Sequence, residues 1–435
     1  MTAVPPRDGP APPGARGDPP DGPTPKRILA LAVQAGEIML QSGAETARVE
    51  ETVNIVVHAF GLAQSHCLVT PTGIYVSVDD PRLPAPVTLV HRVRTRATHY
   101  YRISAVNDLS RRISQGRVPL AAAQLELDAI EQAADPYPFW LGLSAGAGSA
   151  AGVALLLGGG LPEVVPAFVS TILVLLVGAG LYRSNIPAIF GDLFGAALAT
   201  AIALALVAAG LPIHADLVIA GGIMKLVPGA ALLTCVQDGI SGNLLSSGAR
   251  GLETILKGAA LASGVGLVLS RAVDLGLHIG LHSPAGAVWQ IPIQVAAAFG
   301  ASACYAVSNQ VPRFAILTAG LAGAVGWLTS LIVVNLQDTG LGATFLAAFV
   351  VGLLSWGLAR WQHAPVTLYV VPGIMPLLPG LAIYNGMLDL AESQNIAGLL
   401  GLVHALFLGG ALAAGVALSN SLAPALRRRR PPFSP

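Results

Sequence analysis

Two copies of one motif carry the strongest chemical signal in this 435-residue chain. GIMKLVPG runs from Gly222 to Gly229 and GIMPLLPG from Gly373 to Gly380, 151 residues apart and identical at six of eight positions, with Asp238 and Asp389 also in register. Proline removes a helix donor and its ring clashes with the preceding turn, while glycine permits backbone closed to other residues. Pro228-Gly229 and Pro379-Gly380 therefore read as breaks that divide each apolar segment into two half-helices. Freed N–H groups at a broken end attract an anion and freed carbonyls attract an ammonium or another cation, and a zwitterionic amino acid presents both. A lone motif would read as a packing kink, since Gly and Pro are common in membrane helices. A symmetric pair reads as a site, with Gly222, Met224, Lys225, Pro228, Gly229, Gly373, Met375, Pro379 and Gly380 as candidate substrate-binding residues. Asn385, five residues beyond Gly380, joins them.

Lys225 falls about twelve residues into the apolar segment 213–235, roughly 18 Å along a helix that rises 1.5 Å per residue. An unpaired charge near the middle of a bilayer costs at least ~2.5–3.5 kcal/mol, so Lys225 needs a polar cavity and a partner. Asp192 and Asp216 are the candidates, either in a functional site or in a structural ion pair, and Asp238 and Asp389 are further candidates for coupling or ion pairing. A second charged group, Gly43, Glu45, Arg48 and Glu50 with Glu51, could shift carboxylate pKa values in an enzyme. Its plainer reading is a solvated helix face with an i,i+3 pair between Glu45 and Arg48. No nucleophile elbow, phosphate loop or HExxH motif supports an enzyme. His58, His66, His91 and His99 are scattered, and Cys67, Cys235 and Cys304 lack ligand spacing, so no metal, cofactor or disulfide framework is expected.

The elements that must position these residues follow from composition. The chain is 54% hydrophobic and 11% charged with mean hydropathy +0.67, against roughly 25% charged in soluble domains, which excludes an ordinary soluble globule. Of its charged residues, 27 lie in 1–137, four form the run Arg427 to Arg430, and 16 are spread over 138–426. The balance of 24 Lys+Arg against 23 Asp+Glu offers no basic field for nucleic acid. Residues 1–25, with nine prolines and four glycines, read as a disordered tail without the apolar core of a signal peptide. Residues 26–137 read as a small α+β domain: amphipathic helices at 26–41 and 44–60, a hairpin of 65–69 and 73–78 about Thr70-Pro71-Thr72, a third strand at 87–93, and helices at 101–115 and 120–134.

Ten apolar spans follow, near 139–160, 164–182, 188–210, 213–235, 250–271, 286–307, 313–335, 340–359, 365–387 and 396–419. With the N-terminal domain cytoplasmic, Arg183, Arg250, Lys257, Arg313, Arg360 and Arg427 to Arg430 fall on or beside cytoplasmic loops. The expected protein is a multi-pass α-helical protein of the bacterial cytoplasmic membrane with both termini inside. Its modules span 138–275 and 286–420, followed by a basic tail at 421–435. The motif sits in the fourth span of each five-span module, and an odd-numbered repeat inserts its second copy upside down, the pattern of an inverted-repeat transporter.

SGAETARVE (Ser42 to Glu50), the VTPTGIYVSV stretch, and spans carrying two GIMxLxPG copies resemble the bacterial threonine/serine exporter family over about residues 26–420. The resemblance implies a secondary transporter that exports threonine and serine by alternating access, driven by the proton-motive force. Small-molecule substrate, membrane lipid and the proton are its implied partners; no cofactor is implied, and the oligomeric state stays open. By position, Gly43, Glu45, Arg48 and Glu50 match the family's N-terminal motif, and Pro228, Gly229, Pro379 and Gly380 its membrane motif. Relatives with separate modules are associated with dicarboxylate export, so dicarboxylates are the alternative substrate. A channel would need a filter built from the motif backbone, and a membrane-anchored hydrolase would use far more spans than an anchor needs.

Overall fold

The computed structural model describes residues 24–62, 64–80, 85–94, 97–184, 186–274, 291–337 and 340–428. Residues 1–23 of the expected tail and 429–435 of the expected basic end lie outside them.

The N-terminal region orders α1 (Pro25–Gln41), α2 (Thr46–Ala59), β1 (Ser65–Thr70), β2 (Gly73–Val78), β3 (Val87–Arg92), α3 (Tyr100–Ser114) and α4 (Leu120–Gln132). Thr24 opens α1 by accepting from the Arg27 amide. Gly43 lies past its end at φ +90°, in the left-handed region that glycine adopts without steric cost. The strands form an antiparallel sheet in the order β1-β2-β3, with Pro71-Thr72 as a two-residue turn between Thr70 and Gly73. Period-two alternation puts Val69, Ile74, Val76 and Val78 in the core with the α1 stripe of Ile28, Leu31, Ala35 and Ile38. The opposite face presents Leu68, Tyr75 and Val90 to the outside.

The membrane region comprises α5 (Phe139–Leu156), α6 (Leu161–Arg183), α7 (Ala188–Ala208), α8 (Ala215–Ile223), α9 (Gly229–Ile240), α10 (Leu244–Asp274), α11 (Ile291–Ser308), α12 (Arg313–Gln337), α13 (Gly340–Trp361), α14 (Thr367–Ile374), α15 (Gly380–Ala391) and α16 (Asn395–Arg428). Among the described residues nine helical segments are long and apolar enough to cross a membrane, counting Thr367–Leu390 as one. The stretch 215–240 is not among them because residues 224–228 part it into two short helices, α8 and α9, whereas a 3-10 turn at Met375–Leu377 prolongs α14 toward α15. Leu161, Leu336 and Ile396 are more than three-quarters exposed on outer faces, as apolar side chains are where lipid is the solvent.

The two halves make the same internal pairings. α6 and α7 hold α8 as α12 and α13 hold α14; α9 packs on α10 as α15 packs on α16; α7 meets α10 as α13 meets α16. Gly264 of α10 and Gly415 of α16, again 151 residues apart, allow matching close approaches, since a side chain at either would strike the carbonyl of Leu193 or of Phe345. Across the halves α5 packs on α11, while α9 packs on α16 and α15 on α10. Each half-helix that follows a break thus leans on the last helix of the other half.

Candidate substrate site at the paired helix breaks

The two breaks have nearly identical backbone. Pro228 lies at φ −79°, ψ 51° and Pro379 at φ −82°, ψ 48°. Around them the Gly229 amide donates to the Val227 carbonyl at 2.8 Å and the Gly380 amide to the Leu378 carbonyl at 2.9 Å. Each is an inverse γ-turn, a bend available to proline's fixed φ, and a new helix starts immediately after it. Met375–Leu377 adds a 3-10 turn to the second copy. The breaks also meet. A Cβ built on Gly229 would lie 2.7 Å from Leu378 Cδ2, and one on Gly380 3.5 Å from Met224 Sδ. Gly222 and Gly373 serve packing instead: they let α8 approach Ala199 and α14 approach Val351. Met375 is buried in the core.

Cavities surround the junction. The most polar, about 370 Å³, is lined by Lys225–Ala231, Asp192, Thr234, Arg250, Glu253, Lys257, Tyr305, Ser308 and Asn309, and is walled on one side by Gly43, Ala97 and Thr98 of the N-terminal region. A second, about 190 Å³, lies beyond the breaks, among Met224, Pro376–Gly380, Val153, Trp327, Ser330 and Thr344. A third, about 280 Å³ and apolar, touches both Pro228-Gly229 and Leu378-Pro379.

The structure corrects the expected partner of Lys225. Its Nζ donates to Ser308 Oγ at 2.7 Å and stands 4.3 Å from the centre of the Tyr305 ring; it pairs with neither Asp192 nor Asp216. The unwound segment turns the side chain toward α11, where a hydroxyl and an aromatic face accept the ammonium. Asp192 shares the cavity with Lys225. Asp216 is buried in the first turn of α8, where the positive end of the helix favours a carboxylate. Asn385 is a second correction. Five residues along α15 place it about 140° around the helix from Gly380, and it lines none of these three cavities.

Asp238 is fully buried and joins the membrane region to the N-terminal region. Its Oδ1 accepts from the Thr46 hydroxyl at 2.7 Å and the Thr46 amide at 3.3 Å. Its Oδ2 lies 3.1 Å from Arg250 Nε, close enough for an ion pair though without hydrogen-bond alignment. Arg250 also donates to the Ala44 carbonyl and to Thr234 Oγ1. At the register of Arg250 in the second half stands Gly401, so Asp389 meets no guanidinium there. A second seam joins the Tyr100 and Tyr101 amides to the carbonyls of Asn309 and Gln310, and the Tyr137 hydroxyl to the Val311 carbonyl.

The charged N-terminal motif holds its own domain together more than it contacts the membrane region. Arg48 donates to Asn107 Oδ1 at 2.6 Å and lies 3.9 Å from Glu51, so the expected pairing with Glu45 is replaced by one with Glu51. Glu50 accepts from the Val69 amide, and burial pushes its carboxyl up. Glu45 precedes α2 at the junction. Desolvation pushes its carboxyl up to about 7; Arg48 opposes the rise, Asp238 adds to it and Arg250 opposes it.

Thr46, Tyr305 and Ser308 went unsuspected in the sequence, and Asn309, which reads there as a helix cap beside a span, lines the polar cavity. Arg250 gave a misleading signal: it reads as a loop charge but lies in the second turn of α10, buried. Among the described residues no cluster of His, Cys, Asp and Glu could hold a metal.

Paired broken helices meeting inside a multi-pass helical bundle define the class as a membrane transporter. The chain belongs to the threonine/serine exporter family: residues 30–271 match the family model ThrE, described as "Putative threonine/serine exporter", and residues 294–422 match ThrE_2, "Threonine/Serine exporter, ThrE". It is 32% identical to the "Probable threonine/serine exporter" of Mycobacterium tuberculosis over 92% of this chain and 77% of that protein. It is also 32% identical to the "Threonine/serine exporter" of Corynebacterium glutamicum, over 94% of this chain and 84% of that protein. No solved structure matches it.

Proposed function

We propose that this chain exports threonine and serine across the bacterial cytoplasmic membrane by alternating access, drawing on the proton-motive force, with both termini in the cytoplasm. The observation that carries this reading is the meeting of two inverse γ-turns, Val227–Gly229 and Leu378–Gly380, between cavities that lie on opposite sides of them. Such a junction can separate two compartments when one half rocks against the other. The matching internal pairings support two five-span modules, with α8–α9 as the fourth span of the first and α14–α15 as that of the second. Five spans per module would insert the second copy inverted. The polar cavity on the side of the N-terminal region would be the entry from the cytoplasm, and the Ser330–Thr344 cavity the exit. The names of the relatives support threonine and serine as substrates.

Inside-out vesicles test the reading. Labelled L-threonine and L-serine should accumulate when the vesicle lumen is made acidic and should leak out when a protonophore collapses the gradient. Gly229→Leu and Gly380→Leu should each abolish uptake while the protein inserts normally. Uptake of succinate with no uptake of either amino acid would establish a dicarboxylate exporter, and flux that neither saturates nor responds to the gradient would establish a channel.

A further inference from the structure

We propose that the 370 Å³ cavity is a clamp for one zwitterion: Lys225 and the first turn of α9 take the ligand's carboxylate, and Asp192 takes its ammonium. This rests on the exporter reading above and names the class of ligand that fits. The argument is a count of charges. Among the described residues five charged side chains line the cavity: Asp192, Lys225, Arg250, Glu253 and Lys257. Arg250 is held by Asp238 at 3.1 Å and Glu253 by Lys257 at 3.1 Å. Among the described residues Lys225 has only neutral partners, the Ser308 hydroxyl and the Tyr305 ring. Asp192 Oδ2 is buried and has no hydrogen bond. Among the described residues, then, neither the Lys225 ammonium nor the Asp192 carboxylate is in an ion pair, since Lys257, the cation that acts on Asp192 from a distance, is itself paired with Glu253; a ligand of complementary charges offsets the desolvation of such an arrangement.

The backbone adds direction. The first amides of a helix lack intrahelical acceptors. In α9 the Gly229 amide is taken up by the γ-turn and the Leu232 amide by Pro228, which leaves those of Ala230 and Ala231, both in the cavity wall, on the same segment as Lys225. The anionic end of the ligand thus belongs at the break and its cationic end toward α7. A dicarboxylate would set a second negative charge against Asp192. The cavity beyond the breaks has no such pair, since Pro376 stands where the first copy has Lys225 and its other polar lining is Ser330 and Thr344. A zwitterion is held on the side of the N-terminal region and released through the other.

Counterflow of labelled L-threonine by the full chain in proteoliposomes tests the clamp, with L-threonine, L-threoninol, 3-hydroxybutyrate and succinate as competitors. In the wild type, loss of either charge from the ligand should weaken competition at least about 10-fold, the scale of a charge-assisted contact. In Asp192→Asn, 3-hydroxybutyrate should come within about 2-fold of L-threonine while threoninol stays weak; in Lys225→Met the order should reverse. Wild-type ranking retained in both variants would overturn the clamp and leave the exporter reading standing. Exchange of succinate without exchange of threonine or serine would overturn both. Should the two variants fail to fold, the wild type alone decides: threoninol or hydroxybutyrate competing as well as threonine removes the clamp.

Discussion

Replacing Gly229 by alanine separates what the break does for function from what it does for stability. The new methyl would lie 2.7 and 2.8 Å from the two Leu378 δ carbons, which must swing away. Gly229 has no positive φ, so alanine adds no backbone strain. Moving Leu378 off its preferred rotamer costs roughly 0.5–1.5 kcal/mol, and alanine for glycine at a helix position returns roughly 0.5–1 kcal/mol. Net destabilisation should therefore stay below about 1 kcal/mol. The displaced leucine has two places to go, the cavities of about 280 and 190 Å³ that it already borders, and either choice fills space at the junction. Transport should fall well beyond what stability accounts for. At Gly380 the same change meets Met224 Sδ at 3.5 Å and the Ala220 carbonyl at 3.6 Å, ordinary contact distances, so Gly380→Ala should behave nearly as wild type. Thermal unfolding in detergent and initial rates of L-threonine uptake into inside-out vesicles give the two readouts. The decisive comparison is the double variant Gly229→Ala/Leu378→Ala, which removes the clash and should restore uptake. Equal loss at Gly229 and Gly380, or no recovery in the double variant, would refute the steric account of the junction.

Asp238→Asn should destabilise the docked state by up to about 3 kcal/mol, the scale of a lost contact to a buried charge, because it removes the carboxylate 3.1 Å from Arg250 while Glu45 still acts on the guanidinium, and Thr46→Ala by about 1–2 kcal/mol; accelerated proteolysis between the N-terminal and membrane regions measures both. Glu45, raised from 4.5 to about 7, binds its proton more tightly in the folded junction than in the unfolded chain. It therefore contributes stability that is complete below 4.5 and lost as pH rises through about 7. The melting temperature of the wild type should decline over that window, and Glu45→Gln should flatten the decline. Arg48→Ala should loosen α2 from α3 through loss of the Asn107 contact while leaving threonine uptake close to normal, measured in vesicles with matched protein content.

Local chemistry made much of this legible in advance. The α1 stripe, the Thr70–Gly73 turn and the paired Pro-Gly breaks depend on residues within a few positions of one another, and the helices and strands of the N-terminal region fall within two residues of their expected limits. The repeat also pointed to the two breaks together, where the structure places them. What the sequence concealed depends on distance along the chain. Thr46 and Asp238 are 192 residues apart, and Lys225 and Ser308 are 83 apart. No periodicity registers such pairs. Arg250 misled because an arginine flanking an apolar run normally marks a loop, whereas α10 begins six residues earlier, at Leu244, and carries it inward. Asn385 misleads because nearness along the chain is not nearness around a helix.

The Asp238 junction also imposes an order on biosynthesis. Ala44 and Thr46 leave the ribosome 206 and 192 residues ahead of Arg250 and Asp238 respectively. At roughly 5–20 residues per second the wait is about 10–40 s. Through that interval the N-terminal domain, which has its own sheet and core, has nothing to dock on while one helix after another enters the bilayer. Closing the junction is then a late event that reports completion of the first half, and a chain interrupted before α10 would carry a folded but undocked domain, open to proteases along the seam that Arg250 would have covered.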